Sequence, residues 1–193
     1  MKSYIQILCV VLLFGLLQSC SSTRRSNSPN YTTISEPVKP EVEVKSKISA
    51  SAVPQRYINT KKVNPDSVVD FAQTLIGIKY KYGSVIKEQG FDCSGFINYV
   101  FNHFNIKVPR TTIDFTNAGT PILLDDSRKG DLILFTGTDT TGWIVGHMGM
   151  ITDNEKGNIH FIHSSSGKAN GVIVSSLSKY YATRFVKVIR VFP

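Results

Sequence analysis

The sequence predicts an α+β fold in which helices come first and an antiparallel sheet follows. Before residue 105, two segments carry apolar residues at helical spacing, which predicts two helices packed on a core. After Gly130, short apolar runs are separated by Gly, Asn, Asp and Ser turns, which predicts one strand after another. Helices followed by a run of strands is an α+β layout.

The first 19 residues have the form of a lipoprotein signal peptide. A short basic start, Met1-Lys2, precedes an almost wholly apolar run from Tyr4 to Leu17. This run is shorter than the roughly 18 apolar residues that suit a membrane-spanning helix. An apolar residue three positions before Cys20 and a small residue directly before it resemble a lipobox, which predicts cleavage and lipidation of Cys20. A non-lipidated secretory signal is the alternative.

Residues 20–52 are predicted to form a lipidated, disordered tether. Ser, Thr, Pro, Glu, Lys and Asn dominate this segment, so it cannot bury enough apolar surface to offset the entropy of ordering.

Residues 53–193 are enough for one domain with a single core, which we expect to be monomeric. The formal net charge of +8 suits a polyanionic bacterial envelope. Nucleic acid is disfavoured as a partner, because dense Lys and Arg clusters are lacking.

The first helix is predicted to begin at Asn64-Pro65-Asp66, which has the residues of an N-cap and a first turn. Gly77 is predicted to end it. The side chains predicted to be buried are Val68, Val69, Phe71, Ala72, Leu75 and Ile76.

A second helix is predicted to start at Cys93, with Asp92 and Ser94 in its first turn. A thiol at this position is expected to have a lowered pKa and a larger thiolate fraction, because it feels the positive end of the helix dipole. An inert buried thiol is the alternative interpretation. The apolar stripe that predicts the helix consists of Phe96, Ile97, Val100, Phe101 and Phe104.

The rest of the chain is predicted to consist of strands and turns. Pro109-Arg110-Thr111-Thr112 makes a turn into a short segment, and Gly130-Asp131 turns into a buried strand. The predicted strands are Leu132 to Phe135, Trp143 to Thr152, Asn158 to His163, Gly171 to Val174 and Arg184 to Val191, with a short helix near Leu177 to Tyr181.

Cys93 is the only thiol predicted to stay free in the mature protein. Cys9 leaves with the signal peptide, and lipid would block Cys20. Exported proteins usually pair their cysteines, so an unpaired one favours a catalytic role.

His147 is the best candidate for the base that such a thiol needs. Gly146 and Gly149 flank it and leave room for another chain or a substrate to approach the strand closely. Because side chains alternate between the two faces of a strand, His147, Gly149 and Ile151 are predicted to share one face. A satisfied core histidine is the alternative interpretation.

The other three histidines differ in their prospects. His160 and His163 lie on opposite faces of one strand, because side chains alternate along it. His163 stands at the strand end and is the second site candidate, whereas we expect His160 to be solvated. His103 lies about 15 Å along the helix from Cys93 and is interpreted as structural. No metal is expected, because a helical zinc-peptidase Glu and paired cysteines are missing.

Six short motifs follow one another along the chain. They are Tyr80-Lys81-Tyr82-Gly83, Asp92-Cys93-Ser94-Gly95-Phe96, Pro109-Arg110-Thr111-Thr112, Gly130-Asp131-Leu132, Gly146-His147-Met148-Gly149-Met150 and Phe161-Ile162-His163-Ser164. This ordered set resembles that of the NlpC-type cell-wall peptidases. The resemblance covers about Asn64 to Val191 and implies a papain-like fold, with the cysteine on a helix packed against an antiparallel sheet.

The resemblance implies that Cys93 is the nucleophile, His147 the general base and His163 the residue that orients the imidazole. Tyr80 stands where a tyrosine hydroxyl helps to line the oxyanion hole in the family. Packing of this ring beneath the site is the alternative.

Three further residues are implied substrate contacts. Asp92 and Ser94 match positions that flank the nucleophile and contact the substrate peptide, or they only cap the helix. Arg110 is expected to pair with a substrate carboxylate or with a surface acid.

The implied function is hydrolysis of peptidoglycan stem peptides through a thioester, at the bond between D-glutamate and the diamino acid. No cofactor is implied. The lipid anchor predicts a place in the cell envelope, and Ser21 after Cys20 favours the outer membrane, facing the periplasm. Two other hypotheses stay open: a non-catalytic lipoprotein that binds peptidoglycan, and an amidase or acyltransferase that acts on another substrate.

Overall fold

The computed structural model of the chain describes residues 57–139 and 141–193. The predicted signal peptide, the predicted tether and Cys20 lie outside the described residues and stay predictions. Within the described part of the chain, no helix is both long and apolar enough to span a bilayer.

The helices are α1 (Pro65–Gln73), α2 (Cys93–His103) and the short α3 (Lys179–Ala182). Two 3-10 segments cover Thr112–Asn117 and Leu124–Asp126. The strands are β1 (Val85–Ile86), β2 (Gly90–Phe91), β3 (Thr120–Ile122), β4 (Leu132–Thr136), β5 (Val145–Glu155), β6 (Asn158–Ser165), β7 (Gly171–Ser176) and β8 (Phe185–Arg190).

The described strands form two antiparallel sheets. One has six strands in the order β3-β8-β4-β5-β6-β7, and the other is the hairpin of β1 with β2. The predicted α+β fold is therefore confirmed. The sequence does not predict β1, β2 or β3, because strands of two or three residues carry no readable periodicity.

The two faces of the large sheet bury different side chains. Met148 and Met150 of β5 pack in the cluster that contains the apolar residues of α1 and α2, whereas Ile151 packs in a second cluster with Phe135. Alternation along β5 therefore places His147 on the second face, where its ring centroid lies 6.0 Å from that of Phe135. The prediction that His147 and Ile151 share a face is confirmed.

Helix α1 begins where the sequence predicts. Asn64 is its N-cap and accepts a hydrogen bond from the Asp66 N–H at 2.8 Å, and Pro65 occupies the first helical position. This fixed start places the apolar side of α1 against α2.

The end of α1 differs from the prediction. The helix ends at Gln73 rather than Gly77, because the next three residues make tighter i→i−3 hydrogen bonds. The Thr74 hydroxyl also donates to the Phe71 carbonyl at 2.6 Å. Ile76, predicted to be buried, is 52% exposed in this tightened segment.

Strand β5 also differs from the prediction at both ends. Trp143 and Ile144, predicted to lie inside it, are 77% and 66% exposed, because they precede the first ladder pair, Thr136 with Val145. Beyond residue 152 the strand continues to Glu155 through a bulge.

A tight turn closes the β5–β6 hairpin. Lys156 and Gly157 both have positive φ angles, 53° and 85°, and connect the ladder pair Glu155 and Asn158. The bulge and this turn set the register that brings the two site histidines to one face. The remaining predicted strands and the short helix match within a few residues.

Candidate active site

Cys93 is the first residue of α2, as predicted. Asp92 is the N-cap, and its carboxylate accepts the Gly95 N–H at 2.5 Å. An added Cβ at Gly95 would lie 2.0 Å from the Ser84 carbonyl oxygen. The glycine therefore lets the start of the helix lie directly against the preceding turn.

The thiol of Cys93 is largely buried and lies 3.4 Å from Thr112 Oγ1. Burial raises its pKa, and the Asp92 carboxylate adds to this, while hydrogen bonds from Thr112 and from the Ser94 and Met148 N–H groups oppose it. The expected lowering of the Cys93 pKa is therefore wrong for the unliganded protein, because desolvation outweighs the helix N-terminus and these donors.

His147 and His163 form a hydrogen-bonded pair across two strands. Met150 of β5 pairs with Ile162 of β6, so the two histidines stand diagonally on one face. His147 Nε2 lies 2.9 Å from His163 Nδ1. The structure thus brings together the two histidines that the sequence selects.

Gly149 makes room for this pair. An added Cβ there would lie 2.9 Å from the Ile162 carbonyl oxygen and 3.2 Å from His163 Cβ. The close approach predicted at the glycines beside His147 is therefore, at Gly149, the approach of β6.

His163 is in turn held by two hydroxyl groups. Its Nε2 lies 3.0 Å from Ser175 Oγ and 3.4 Å from Tyr181 Oη. A hydroxyl can accept from an imidazole N–H or donate to a ring nitrogen. The row from His147 through His163 to Ser175 can therefore fix the position of the proton on each ring.

Both imidazoles are neutral at pH 7. Burial lowers the pKa of His147 to about 3, and the positive charges of a protonated His163 and of Arg184 add to the effect. Burial likewise lowers the pKa of His163 to about 4. The hydrogen bond between the two rings therefore contains one proton. Because His147 is neutral, it can accept another proton.

Two cavities meet at Cys93, and Tyr80, Cys93 and Gly146 line both. The histidine cavity, about 820 Å³, also contains His147, Tyr181 and Arg184 in its wall. The Asp92 cavity, about 390 Å³, contains Asp92, Ser94 and Arg110 in its wall instead. A chain laid across both would place one of its bonds at Cys93.

Tyr80 lies on the wall of both cavities and is partly exposed. Burial raises the pKa of its hydroxyl, with smaller contributions from the charged forms of Cys93 and Asp92. Tyr80 thus lines the same two cavities as the thiol, and its oxyanion role stays a prediction.

Asp92, Ser94 and Arg110 line the Asp92 cavity together. Arg110 Nη2 lies 2.9 Å from Asp92 Oδ2, and its Nη1 donates to Ser94 Oγ at 3.0 Å. Asp92 therefore caps the helix and also presents its carboxylate at the cavity. The acid that Arg110 pairs with is this nearly buried one rather than a surface acid.

The other two histidines lie apart from the thiol. His103 stacks on Phe71, with ring centroids 3.7 Å apart, and so links α2 to α1. His160 is partly exposed, and its Nδ1 lies 2.8 Å from Asp153 Oδ1. Among residues 57–139 and 141–193, no three His, Cys, Asp or Glu side chains are grouped to hold a metal ion.

The sequence does not predict four residues of this site: Thr112, Ser175, Tyr181 and Arg184. Thr112 belongs to the motif Pro109-Arg110-Thr111-Thr112, which is a weak signal for it. Ser175 and Tyr181 reach His163 only through the pairing of β6 with β7 and the placement of α3, which the sequence does not specify.

Comparison with known proteins agrees with this geometry. The family model described as NlpC/P60 matches residues 77–190, more than half of the chain. The chain belongs to the NlpC/P60 family. The predicted resemblance to NlpC-type peptidases is thereby confirmed.

Two curated relatives of this NlpC/P60 chain carry enzyme names. The chain is 31% identical over 126 residues to the gamma-DL-glutamyl hydrolase of Bacillus subtilis (strain 168), covering 64% of this chain and 29% of the relative. It is 33% identical over 138 residues to the murein DD-endopeptidase MepS/murein LD-carboxypeptidase of Escherichia coli (strain K12), covering 70% and 65%. The chain thus spans less than two thirds of either relative.

A solved NlpC/P60 structure has the same fold. It is a protein from Staphylococcus aureus subsp. aureus Mu50 described as similar to a lipoprotein, with 25% identity and a TM-score of 0.57. The match covers 73% of this chain and 45% of that one. The papain-like NlpC/P60 fold is therefore established for the domain.

Proposed function

We propose that this protein is a cysteine peptidase that hydrolyses amide bonds in the stem peptides of peptidoglycan. One observation carries the proposal: Cys93 and His147 line the same cavity, and His163 is hydrogen-bonded to His147 at 2.9 Å. A nucleophile, a base and a residue that orients the base are what covalent hydrolysis needs. The murein and glutamyl substrates in the names of the two relatives add support.

The reaction begins from a neutral thiol and a neutral imidazole, because burial disfavours the charged form of each. His147 takes the thiol proton as Cys93 Sγ attacks the carbonyl carbon. The Nε2–H of His147 then donates to His163 Nδ1, which holds the imidazolium in place. This arrangement requires the proton of neutral His163 on Nε2, where it donates to Ser175.

The attack forms an oxyanion that needs donors. The Cys93 N–H stands in the first turn of α2, where amides lack a helical partner, and it is the first proposed donor to the new negative charge. The Tyr80 hydroxyl is the second proposed donor. His147 then gives its proton to the leaving nitrogen, the C–N bond breaks, and water hydrolyses the thioester that remains on Cys93.

The bond that we expect to be cleaved joins D-glutamate to the diamino acid. The names of the relatives point to three bond types, a glutamyl bond in one and a D,D and an L,D bond in the other. Incubation of the full-length chain with purified muropeptides, followed by mass analysis of the products, distinguishes them. It also separates hydrolysis from transfer to another acceptor and from binding without cleavage.

The control for this experiment is Cys93→Ala. We expect it to keep the wild-type melting temperature and muropeptide binding and to lose cleavage by at least about 10³-fold, because the covalent path is removed. Equal cleavage by wild type and variant would refute the assignment.

We also propose that the domain, residues 53–193, is monomeric and is held in the cell envelope by lipid on Cys20. The lipobox-like residues before Cys20, after a signal of 19 residues, support this, and residues 20–52 would serve as the tether. Growth with a labelled fatty acid should label the wild type and not Cys20→Ala. Recovery of the label in outer-membrane fractions would test the predicted membrane, and light scattering the oligomeric state.

A further inference from the structure

The histidine cavity has a one-sided distribution of charge. Lys168 and Arg184 both contribute to its wall, and no Asp or Glu of the described residues does. Across the thiol, the cation of the Asp92 cavity, Arg110, is already paired with Asp92. Positive charge without a local counterion is therefore concentrated on the His147 side of Cys93.

Arg184 is the buried member of this pair of cations, only 9% exposed. Its Nη1 donates to the Tyr180 hydroxyl and its Nη2 to the Thr136 carbonyl at 2.8 Å. Its Nε has no hydrogen-bond partner among the described residues, and none of their ion pairs includes Arg184. A buried guanidinium without a carboxylate is costly unless an anion binds to it.

The chemistry of the proposed reaction says which part of a substrate enters this cavity. His147 must return its proton to the leaving nitrogen, so the residue that supplies this nitrogen lies on the His147 side of Cys93. His147 lines the histidine cavity, and it is not part of the wall of the Asp92 cavity. Arg184 therefore faces the leaving residue.

We propose that Arg184 binds a free carboxylate on the carbon that bears the leaving nitrogen, so that the enzyme prefers a free-acid leaving residue to its amide. The inference rests on the proposed function and deepens it. A planar guanidinium can offer a carboxylate two parallel hydrogen bonds. Because Nε is fully buried, these must come from the second N–H of Nη1 and of Nη2, whose first N–H groups donate to Tyr180 and Thr136. Tyr180 also holds the Arg184 side chain in place from one side.

Electrostatics at the base agrees with this assignment. After burial and His163, the Arg184 charge is a further cause of the lowered pKa of His147. A bound carboxylate would offset that charge and raise the pKa of His147 while substrate is present. The base would then accept the thiol proton more readily in the complex than in the free enzyme.

The test uses matched substrates and the full-length chain. One pair is the tripeptide L-Ala-γ-D-Glu-meso-diaminopimelate with the α-carboxyl of its last residue free or amidated. The second is a stem-peptide dimer cross-linked through diaminopimelate, with the carboxyl beside the cross-link free or amidated. For the pair that is cleaved, we expect kcat/KM to be about 10- to 100-fold higher for the free acid.

Variants assign the preference to a residue. Arg184→Gln should cleave both members of the pair at the rate that wild type shows for the amide, so that the ratio falls to about one. Arg184→Lys, which keeps the charge without the fork, should give an intermediate ratio. Lys168→Gln removes the exposed cation of the same cavity and should keep the wild-type ratio.

The outcomes separate the two proposals. If wild type cleaves none of the four peptides, the proposed function fails. If it cleaves acid and amide equally, only the carboxylate site is overturned, and this result needs no variant to fold. A loss of both activities in Arg184→Gln by the same factor would assign Arg184 a structural role, and loss of the preference in Lys168→Gln would move the site to Lys168.

Discussion

His147 Nε2 and His163 Nδ1 lie 2.9 Å apart. Because both rings are neutral, these two facing nitrogens have one proton between them. The side on which that proton resides decides whether the other nitrogen of His147 is free to accept the thiol proton. His163 can direct it only if its own Nε2 carries hydrogen, for which Ser175 Oγ at 3.0 Å is the acceptor. Ser175 is therefore a positioning residue for the proposed base.

Ser175→Ala should lower kcat about fivefold and leave KM unchanged, because one hydrogen bond of about 1 kcal/mol no longer fixes the His163 tautomer. Ser175→Thr keeps the hydroxyl and should restore kcat. Nitrogen-15 chemical shifts of the His163 ring should report an Nε2–H tautomer in wild type and a mixture in Ser175→Ala. An unchanged tautomer in the alanine variant would contradict the assignment.

Gly149→Ala should damage the site more than the fold. The added Cβ would lie 2.9 Å from a backbone oxygen of β6, which cannot rotate away, so we expect about 1–3 kcal/mol of destabilisation and a displaced His163. Gly142→Ala is the matched control, since its Cβ would meet only Ile144 at ordinary contact distance. Equal activity of the two variants at a temperature where both are folded would show that β6 tolerates the methyl group.

Local signals predicted the parts of the site that are local. The helix start at Cys93 follows from one cap and one apolar stripe within α2, and strand alternation alone separates His163 from His160. The contact between His147 and His163 also needs the register of the β5–β6 hairpin. That register depends on a bulge whose position cannot be predicted from the residue types.

Properties that arise from packing could not be predicted in this way. The pKa of Cys93 is raised because other elements bury the thiol, and a helix N-terminus considered by itself indicates the opposite direction. Arg184 looks like the start of a strand in the sequence. Its burial beside Tyr180 and its place in the histidine cavity appear only when α3 and β8 are folded together.

The alkylation rate of Cys93 should report its raised pKa. With iodoacetamide, we expect the rate in the free enzyme to keep increasing with pH up to at least the ordinary thiol range, because only the thiolate reacts. Thr112→Val removes a hydrogen bond that favours the thiolate and should shift the profile to higher pH, whereas Thr112→Ser should not. A plateau reached below pH 7 would reveal a preformed thiolate–imidazolium pair and contradict the neutral ground state.

Acid should destabilise the fold through His147. Its folded pKa, about 3, lies below the ordinary value of 6.5, so in this range the unfolded chain binds a proton that the folded chain does not. Stability is therefore full above about pH 6.5 and is lost as the pH falls toward 3. Between pH 7 and pH 4 the loss of unfolding free energy from this group is about 3 kcal/mol, at about 1.4 kcal/mol for each unit of pKa.

Urea unfolding of wild type and His147→Gln at both pH values measures this loss. Carboxylates contribute equally to the two proteins and cancel, so a decrease in the variant as large as in wild type would place the acid sensitivity elsewhere.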